Sequence, residues 1–311
     1  MVKKALKKNS NNVTGPYDSL RDYMEAIETH GNVIRIKEID QDAYELTGFM
    51  YKLLDKHGWL GAPSVVVEKV KISGEWVDGP IIVNQYGMAG HEAMAIGVPL
   101  DEIKKGEHLH NYKKALSKMM EMGEISPIKT TEIDKADAPS KEVILKEDEI
   151  NILDFPFIQT NPGDNGRFIN TGNLVTVDPD QGRNVGTYRM QIKGPRKIGI
   201  SPEKKQDGWK SLMKTKENGQ TVAQAVVVLG TDPIVFAMSS SKTARTGQDE
   251  LEIAGGFKGK SIEVVKCENS DILVPANVEM IIEGEIPLDD FELEGPFGEM
   301  YGYMGKTHEE Q

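Results

Sequence analysis

Two carboxylates near the end of the chain are spaced as a catalytic pair. Glu294 and Glu299 are separated by Gly-Pro-Phe-Gly, whose glycines and proline allow a tight turn that brings both acids to one pocket. Phe297, Tyr301 and Tyr303 supply aromatic walls. A carboxyl group beside aromatic rings and away from water has a raised pKa, which favours proton transfer near neutral pH. An acidic surface loop with a tight turn is an equally good interpretation of this segment alone.

A second candidate segment, residues 183–191, follows a turn and opens a predicted strand. The Asn184 side-chain carbonyl can bind a metal or a ligand, and the planar Arg189 guanidinium suits a carboxylate. Residues five apart face opposite sides of a regular strand, so both can line one cavity only if Asn184 lies at an irregular strand mouth. The alternative is that Arg189 makes an ordinary ion pair on a sheet face.

A third candidate is the acidic segment around Glu250. Asp249, Glu250 and Glu252 precede residues 254–256, an Ala-Gly-Gly sequence that predicts a turn. Glu250 could join Asn184 in binding a divalent cation, because both offer oxygen ligands. A solvated acidic helix start is the plain alternative.

The elements that must position these residues fall into two parts. We predict a flexible basic lead at 1–15, an α/β domain at 16–125, a linker at 126–150 and a β-rich domain at 151–311. His91, in the first domain, is predicted to be structural or on the surface. Helices are predicted at 18–31, 41–56 and 109–122, and strands at 32–36, 64–70, 80–84, 168–178, 185–192, 221–229, 234–238, 261–267 and 277–283. Many short strands in the second part indicate a barrel or sandwich.

Composition excludes several classes of function. The net charge of −12, from 37 basic and 49 acidic residues, argues against nucleic-acid binding as the main task. No apolar run approaches the ~18 residues of a membrane span. The single cysteine, Cys267, excludes an internal disulfide framework and a cysteine-based metal cluster. These features predict a cytoplasmic protein.

Taken together, the candidate segments resemble the UbiD family of reversible (de)carboxylases. The resemblance extends over nearly the whole chain, with the motifs in the family's order and at similar spacing. They are residues 184–191 (Asn-Val-Gly-Thr-Tyr-Arg-Met-Gln), 250–255, 264–267 (Val-Val-Lys-Cys), 274–276 (Val-Pro-Ala), 283–284 (Glu-Gly) and 294–299 (Glu-Gly-Pro-Phe-Gly-Glu).

The resemblance implies a cofactor, prenylated FMN, held in a split β-barrel domain of the flavin-reductase type within an α+β fold. Carried over by motif, Asn184 and Glu250 would bind Mn²⁺ or Mg²⁺ at the cofactor phosphate, with K⁺ nearby. A cation between a carboxylate and a phosphate relieves their repulsion. Thr187, Arg189 and Lys205 would contribute further cofactor contacts.

The resemblance also implies a catalytic network of Arg189, Glu294 and Glu299. Glu299 would exchange the proton that replaces CO2, while Arg189 and Glu294 orient the substrate carboxylate. The implied function is non-oxidative decarboxylation or carboxylation of a small aromatic or α,β-unsaturated acid, with the cofactor as electron sink.

Two departures from the family pattern leave alternatives open. No histidine occurs between His110 and His308, where many members have a metal ligand, and Lys205 lies near that position. The chain stops at Gln311, before the segment that in the family supplies a cofactor-contacting lysine and the oligomerisation domain. We therefore expect a homo- or hetero-oligomer in which another chain completes the site, or a fragment. The alternatives are a non-catalytic subunit that holds cofactor or scaffolds a carboxylase complex, and a metal-binding module without flavin.

Overall fold

The computed structural model describes residues 15–30, 32–121, 125–244, 247–299 and 302–305. The predicted basic lead, apart from Gly15, lies outside these residues, as do the predicted helix stop at Gly31 and the aromatic wall residue Tyr301. Across the described ranges, no helix has both the length and the apolar character that crossing a membrane requires.

The first part of the chain is a mixed sheet of three strands with helices around it. β1 and β2 pair in parallel, and β2 and β3 form an antiparallel hairpin. Ser19 caps the first helix by accepting a hydrogen bond from the Asp22 backbone N–H, which confirms the predicted helix start. The elements are α1 (Leu20–Thr29), β1 (Val33–Asp40), α2 (Glu45–His57), β2 (Ser64–Ile72), β3 (Glu75–Val83), α3 (Ala89–Ala95) and α4 (His108–Glu121).

The second part contains an antiparallel sheet of five strands in the order β11-β8-β5-β6-β7. Strand β6 (Gly182–Gly194) is the longest of the described strands and carries three of the predicted site residues, Asn184, Thr187 and Arg189. The elements are β4 (Thr131–Glu132), β5 (Phe168–Asp178), β6 (Gly182–Gly194), β7 (Lys197–Ile200), α5 (Asp207–Glu217), β8 (Val222–Leu229), α6 (Pro233–Ser240), α7 (Glu250–Lys258), β9 (Glu263–Lys266), β10 (Leu273–Pro275) and β11 (Met280–Pro287). The predicted mixture of helices and antiparallel strands is confirmed.

Residues 126–150, predicted as a linker, are packed against the second part. Strand β4 pairs in parallel with β9 through Thr131, and β9 pairs with β10 to complete a small third sheet. The Ile128 N–H donates to the Glu252 carbonyl at 2.9 Å. These contacts tie the start of the stretch to α7 and β9.

The strand predicted at 234–238 is wrong, because this segment lies in helix α6. Asp232 caps the helix by accepting hydrogen bonds from the N–H groups of Ile234 and Val235, and Pro233 occupies the first turn. A short apolar run has the same pattern in a buried helix as in a buried strand. The Asp-Pro pair before it is therefore a helix start rather than a turn between strands.

The predicted turn at Ala254–Gly256 is also wrong, since these residues lie inside helix α7. The two glycines allow close packing of the helix against neighbouring backbone. A Cβ atom on Gly256 would lie 2.3 Å from the Ser126 carbonyl oxygen, and one on Gly255 would lie 3.0 Å from the Lys260 carbonyl oxygen. Close approach of the backbone therefore explains glycine at these helical positions better than a turn does.

His91 is a structural histidine in the core of the first part, in line with the prediction. Its side chain is fully buried, and its Nδ1 atom lies 3.0 Å from the Ser64 hydroxyl oxygen. Burial lowers the pKa of the His91 imidazole from 6.5 to about 4. The unfolded chain therefore binds a proton in the window between these two values that the folded chain does not bind.

This linkage predicts that the free energy of unfolding falls as pH decreases from about 6.5 to about 4. We expect His91 to contribute on the order of 3 kcal/mol to that fall. Urea denaturation of the wild type and of His91→Gln at several pH values measures it, because the difference between the two profiles isolates this group. Parallel profiles across the window would contradict the prediction.

Candidate active site

Arg189 and Glu294 form a bidentate ion pair between strand β6 and the C-terminal loop. Nε of Arg189 lies 2.8 Å from Oε1 of Glu294, and Nη2 lies 3.0 Å from Oε2. The Glu294 side chain is 8% exposed and that of Arg189 is 28% exposed. Paired parallel hydrogen bonds of this kind fix both the position and the plane of the guanidinium. They also raise the pKa of Arg189, so its charge is permanent.

Glu299 approaches the same guanidinium from its open side. Its Oε1 atom lies 3.4 Å from Nη1 of Arg189, a long contact for a hydrogen bond. The Glu299 side chain is 52% exposed. The structure therefore brings the three predicted catalytic side chains together. The expectation that both acids lie away from bulk water holds for Glu294 and is wrong for Glu299, because only Glu294 is covered by the sheet.

Phe297, between the two acids, packs against the guanidinium. The Arg189 Cζ atom lies 4.9 Å from the centroid of the Phe297 ring, which in turn meets the edge of Phe168 at 4.8 Å. A cation over an aromatic face is attracted by the ring quadrupole. Tyr303, predicted as a second aromatic wall, is 76% exposed, and its carbonyl accepts the Glu299 N–H at 2.7 Å. Of the two predicted wall residues that the structure describes, Phe297 is the one that packs against Arg189.

Glycine is required at positions 295 and 298, between the two acids, for two different physical reasons. Gly295 has φ of +82°, a left-handed conformation that residues with a Cβ rarely adopt. Gly298 allows a close approach, since a Cβ there would lie 2.3 Å from Nδ2 of Asn161. The turn between the acids therefore depends on both positions.

Asn184, near the start of β6, and Glu250, at the start of α7, form a second cluster. Both line an open pocket, together with Asp207 and Lys210 of α5. The Val185 N–H donates to Oε2 of Glu250 at 2.9 Å, which ties the start of α7 to the edge of the strand.

The expected irregular strand mouth at Asn184 is wrong. Asn184 pairs with Thr176, and Thr187 pairs with Asn173, in regular antiparallel register. Asn184 therefore projects from the opposite face of the strand to Thr187 and Arg189. Five residues at ~3.3 Å each separate Asn184 from Arg189 by about 17 Å along β6. The structure thus brings the predicted residues together as two clusters on one strand rather than as one.

The chemistry of the Asn184 pocket fits a bound cation. Burial raises the pKa of the Glu250 carboxyl from 4.5 to about 7, against the opposing effect of the Val185 hydrogen bond, and the charges of Asp249 and Asp207 raise it further. The Nδ2 atom of Asn184 is buried without a hydrogen-bond partner; because it is an N–H donor, it fits an acceptor such as a phosphate oxygen rather than the cation itself. A cation would stabilise the charged form of Glu250 and would bind the amide oxygen of Asn184.

These two residues do not form a complete metal site by themselves. Within the described parts of the chain, no three His, Cys, Asp or Glu side chains are gathered where they could hold a metal ion. Hard divalent cations take about six or more oxygen ligands, so the remaining ligands would come from water or from a bound phosphate. The residues present therefore fit a cation that bridges the protein to a phosphorylated ligand.

Thr187 lies in a network of hydroxyl and amide groups beside α6. Its hydroxyl accepts a hydrogen bond from Nδ2 of Asn173 at 2.8 Å and lies 3.0 Å and 2.9 Å from the hydroxyl oxygens of Ser239 and Ser240. Thr231 donates to Oδ1 of Asn173 at 3.1 Å. Thr187 shares a strand face with Arg189, so this network borders the space beside the guanidinium.

Lys205 is not brought to either cluster. It lies in an exposed turn before α5, and it does not line the Asn184 pocket. Asp207, at the start of α5, lines the pocket instead and was missed by sequence reasoning. An acidic residue in the first turn of a helix is a common helix-start signal, so nothing in its local sequence marked it as a site residue.

The close contact between Gly298 and the Asn161 side chain can be tested by adding a methyl group at position 298. We expect Gly298→Ala to lower the free energy of unfolding by about 1–3 kcal/mol, because the new methyl group meets the Asn161 side chain. Gly284→Ala is the matched control, since no atom lies within 4 Å of a Cβ at that position. Urea denaturation of both variants measures the difference. Equal stability of the two variants would show that the turn between Glu294 and Glu299 tolerates a side chain at position 298.

Comparisons with known proteins match this chain to a sequence family and to solved structures of similar fold. A sequence model of the UbiD family, described as the 3-octaprenyl-4-hydroxybenzoate carboxy-lyase Rift-related domain, matches residues 131–311. A phenolic acid decarboxylase of Bacillus subtilis is 30% identical over 293 residues, which cover 92% of this chain and 58% of that protein. The chain thus spans somewhat more than half the length of the curated relatives that it matches.

Two solved structures extend the comparison. An evolved dimeric form of the UbiD-class enzyme HmfF from Pelotomaculum thermopropionicum, in complex with prFMN, has a TM-score of 0.77 and 30% identity; the match covers 94% of this chain and 62% of that one. The vanillic acid decarboxylase of Sedimentibacter hydroxybenzoicus, in its closed form, has a TM-score of 0.81 and 26% identity, with 94% and 60% covered.

Proposed function

Because the chain belongs to the UbiD family, we propose that it acts in the prenylated-FMN-dependent decarboxylation or carboxylation of a small aromatic or α,β-unsaturated acid. The observation that carries the proposal is the sharing of the Arg189 guanidinium by Glu294 and Glu299. An arginine that keeps one open side beside a solvent-facing acid can bind a substrate carboxylate and leave a proton donor next to it.

The Asn184 pocket is the proposed place of the cofactor phosphate. Asn184 and Glu250 would hold Mn²⁺ or Mg²⁺ against the phosphate, and a K⁺ ion nearby is part of the same proposal. Support comes from the buried Asn184 amide without a partner and from the cost of burying the Glu250 charge.

The side chains around Arg189 would divide the work of the reaction. Arg189 binds and orients the substrate carboxylate, and Glu294 holds the guanidinium in place through its two hydrogen bonds. As CO2 leaves, Glu299 donates the proton that takes its place on carbon; in carboxylation it removes that proton. The bound cofactor supplies an electron sink for the pair of electrons left on carbon. Thr187 lines the same face of the strand.

The proposal extends to architecture and assembly. The five-stranded antiparallel sheet is consistent with a split β-barrel of the flavin-reductase type as the cofactor domain. The relatives contain sequence beyond the part that this chain matches, and the vanillic acid decarboxylase among the similar structures is named ShVdcCD, with a truncated ShVdcD named separately in one of them. We include in the proposal an oligomer, with itself or with a second polypeptide that contributes to the site.

Glu299 provides the direct test of the reaction. In the full assembly loaded with prenylated FMN, we expect Glu299→Gln to lower the turnover number about 10²–10⁴-fold, the usual contribution of a general acid or base. Release of CO2 from a panel of aromatic and cinnamic-type acids measures turnover. Glu75→Gln, an exposed glutamate on β3, is the matched control and should remain fully active. Full activity of Glu299→Gln, or an inactive wild type, would overturn the proposal.

The Asn184 pocket is tested by cofactor binding rather than by turnover. We expect Glu250→Gln and Asn184→Ala each to weaken cofactor retention at least about tenfold, because each loses a ligand of the bridging cation. Flavin absorbance of the purified protein after gel filtration, with added Mn²⁺, measures retention. Glu252→Gln is the control, since two residues along a helix turn its side chain about 200° away. Unchanged retention in both pocket variants would place the phosphate elsewhere.

A further inference from the structure

The backbone between the two acids is held at both of its glycines by buried side chains. Gly295 directly follows Glu294, and Gly298 directly precedes Glu299. The Gly295 N–H donates to Oε1 of Gln191 at 3.1 Å, and the Gly298 N–H donates to Oδ1 of Asp164 at 2.6 Å. Neither of these two acceptors lies within residues 294–299.

We propose that Asp164 and Gln191 are positioning residues that set the separation of Glu294 and Glu299 across Arg189. The inference rests on the proposed function, and it adds to that function two residues outside the acid–arginine network. Both side chains act through the backbone of residues 294–299, which we call the hairpin, so neither needs to touch the substrate.

Gln191 ties the hairpin to the strand that carries the arginine. It lies two residues after Arg189 on β6, so both side chains project from the same face of the sheet. It is 4% exposed. Its Nε2 donates to the Asn165 carbonyl while its Oε1 accepts from Gly295. Strand β6 therefore fixes the Arg189 guanidinium and, through Gln191, also fixes the backbone of Gly295. Gly295 directly follows Glu294, the acid that makes two hydrogen bonds to Arg189.

Asp164 ties the other end of the hairpin to the turn at residues 161–166. Its carboxylate accepts the Asn161 N–H at 2.7 Å through Oδ2 and the Gly298 N–H through Oδ1. The Asn165 N–H donates to the Pro296 carbonyl at 2.9 Å, which adds a backbone contact between the same two segments. Asp164 is 6% exposed.

Burying the Asp164 carboxylate carries an unfavourable desolvation free energy, because the charge is removed from water. Two charge-assisted hydrogen bonds from backbone N–H groups compensate Asp164 in part. The nearby guanidinium supplies further compensation, since the Asp164 charge contributes to the raised pKa of Arg189. Asp164 therefore connects the hairpin and Arg189 electrostatically as well as through the backbone.

The physical consequence is a fixed approach of Glu299 to the reacting atoms. Glu294 has two hydrogen bonds to Arg189 that hold it directly, whereas the recorded contact of the Glu299 carboxylate with Arg189 is a single one at 3.4 Å. The position of Glu299 thus depends more on its backbone, which is held by the hydrogen bond of its own N–H to the Tyr303 carbonyl and, one residue earlier, by the hydrogen bond from Gly298 to Asp164. Loss of the hydrogen bond from the Gly298 N–H to Asp164 should displace the Glu299 carboxylate. Arg189 should still bind the substrate carboxylate.

The first measurement is hydrogen–deuterium exchange of the peptide containing residues 294–299, made on the purified chain without cofactor. We expect exchange at least about tenfold faster in Asp164→Ala and in Gln191→Met, with an intermediate rate in Asp164→Asn, which keeps one acceptor oxygen. Asp42→Ala is the matched control: its carboxylate also accepts two backbone N–H groups, at 2.7 Å each, in the first sheet. Unchanged exchange in both Asp164→Ala and Gln191→Met would overturn the proposal.

The second measurement is steady-state kinetics of the loaded assembly. Asp164→Ala should lower kcat about tenfold or more and change KM less than about threefold, with Asp164→Asn in between. Asp42→Ala should match the wild type. An increase in KM without loss of kcat would overturn the positioning role, and so would faster exchange with wild-type kcat. A wild type without turnover would contradict the proposed function, whereas the exchange rates would still decide whether the two residues hold the hairpin.

Discussion

The paired hydrogen bonds between Arg189 and Glu294 join two segments that are 105 residues apart in the chain. The Glu294 side chain is only 8% exposed, and Arg189 is the cation that it meets, so removing Arg189 would leave a nearly buried carboxylate uncompensated. The pair therefore determines where the C-terminal loop can lie on β6. Phe297 fills the space below the guanidinium, and the glycines on either side of it let the chain turn there.

Strand β6 also provides the frame for the second cluster. Its start contacts the beginning of α7 through the Glu250 carboxylate and through an ion pair of Arg183 with Asp249, in which Nε lies 3.0 Å from Oδ2. The Nδ2 atom of Asn184 is buried there without a hydrogen-bond partner. Most buried polar groups in folded proteins have a partner, and an exception calls for an explanation such as a bound ligand. In the proposed function, this end of the strand would bind the cofactor phosphate and the Arg189 end would serve proton transfer.

Buried charge is also used for structure in the second part of the chain. Lys258 is 3% exposed at its side chain, donates to Oδ2 of Asp232 at 2.9 Å and donates to the Tyr17 carbonyl at 2.7 Å. Burial raises the pKa of Asp232, and the lysine opposes that rise. This contact joins α7, the cap of α6 and the segment before α1. Because α7 also carries Glu250, the position of the pocket depends on it.

The sequence by itself determined the features that local chemistry controls. The cap at Ser19, the strand at 168–178 and the Gly-Pro turn between the two acids depend on neighbouring residues, so composition and spacing predicted them. Only the tertiary structure decided the remainder. The run at 234–238 became a helix, Asn184 took the opposite face to Arg189, and Asp164 reached Gly298 across 134 residues. The helix at 234–238 was missed because a short apolar run has the same pattern in a buried helix as in a buried strand. The other two outcomes depend on which distant segment pairs with each residue, and no local pattern contains that information.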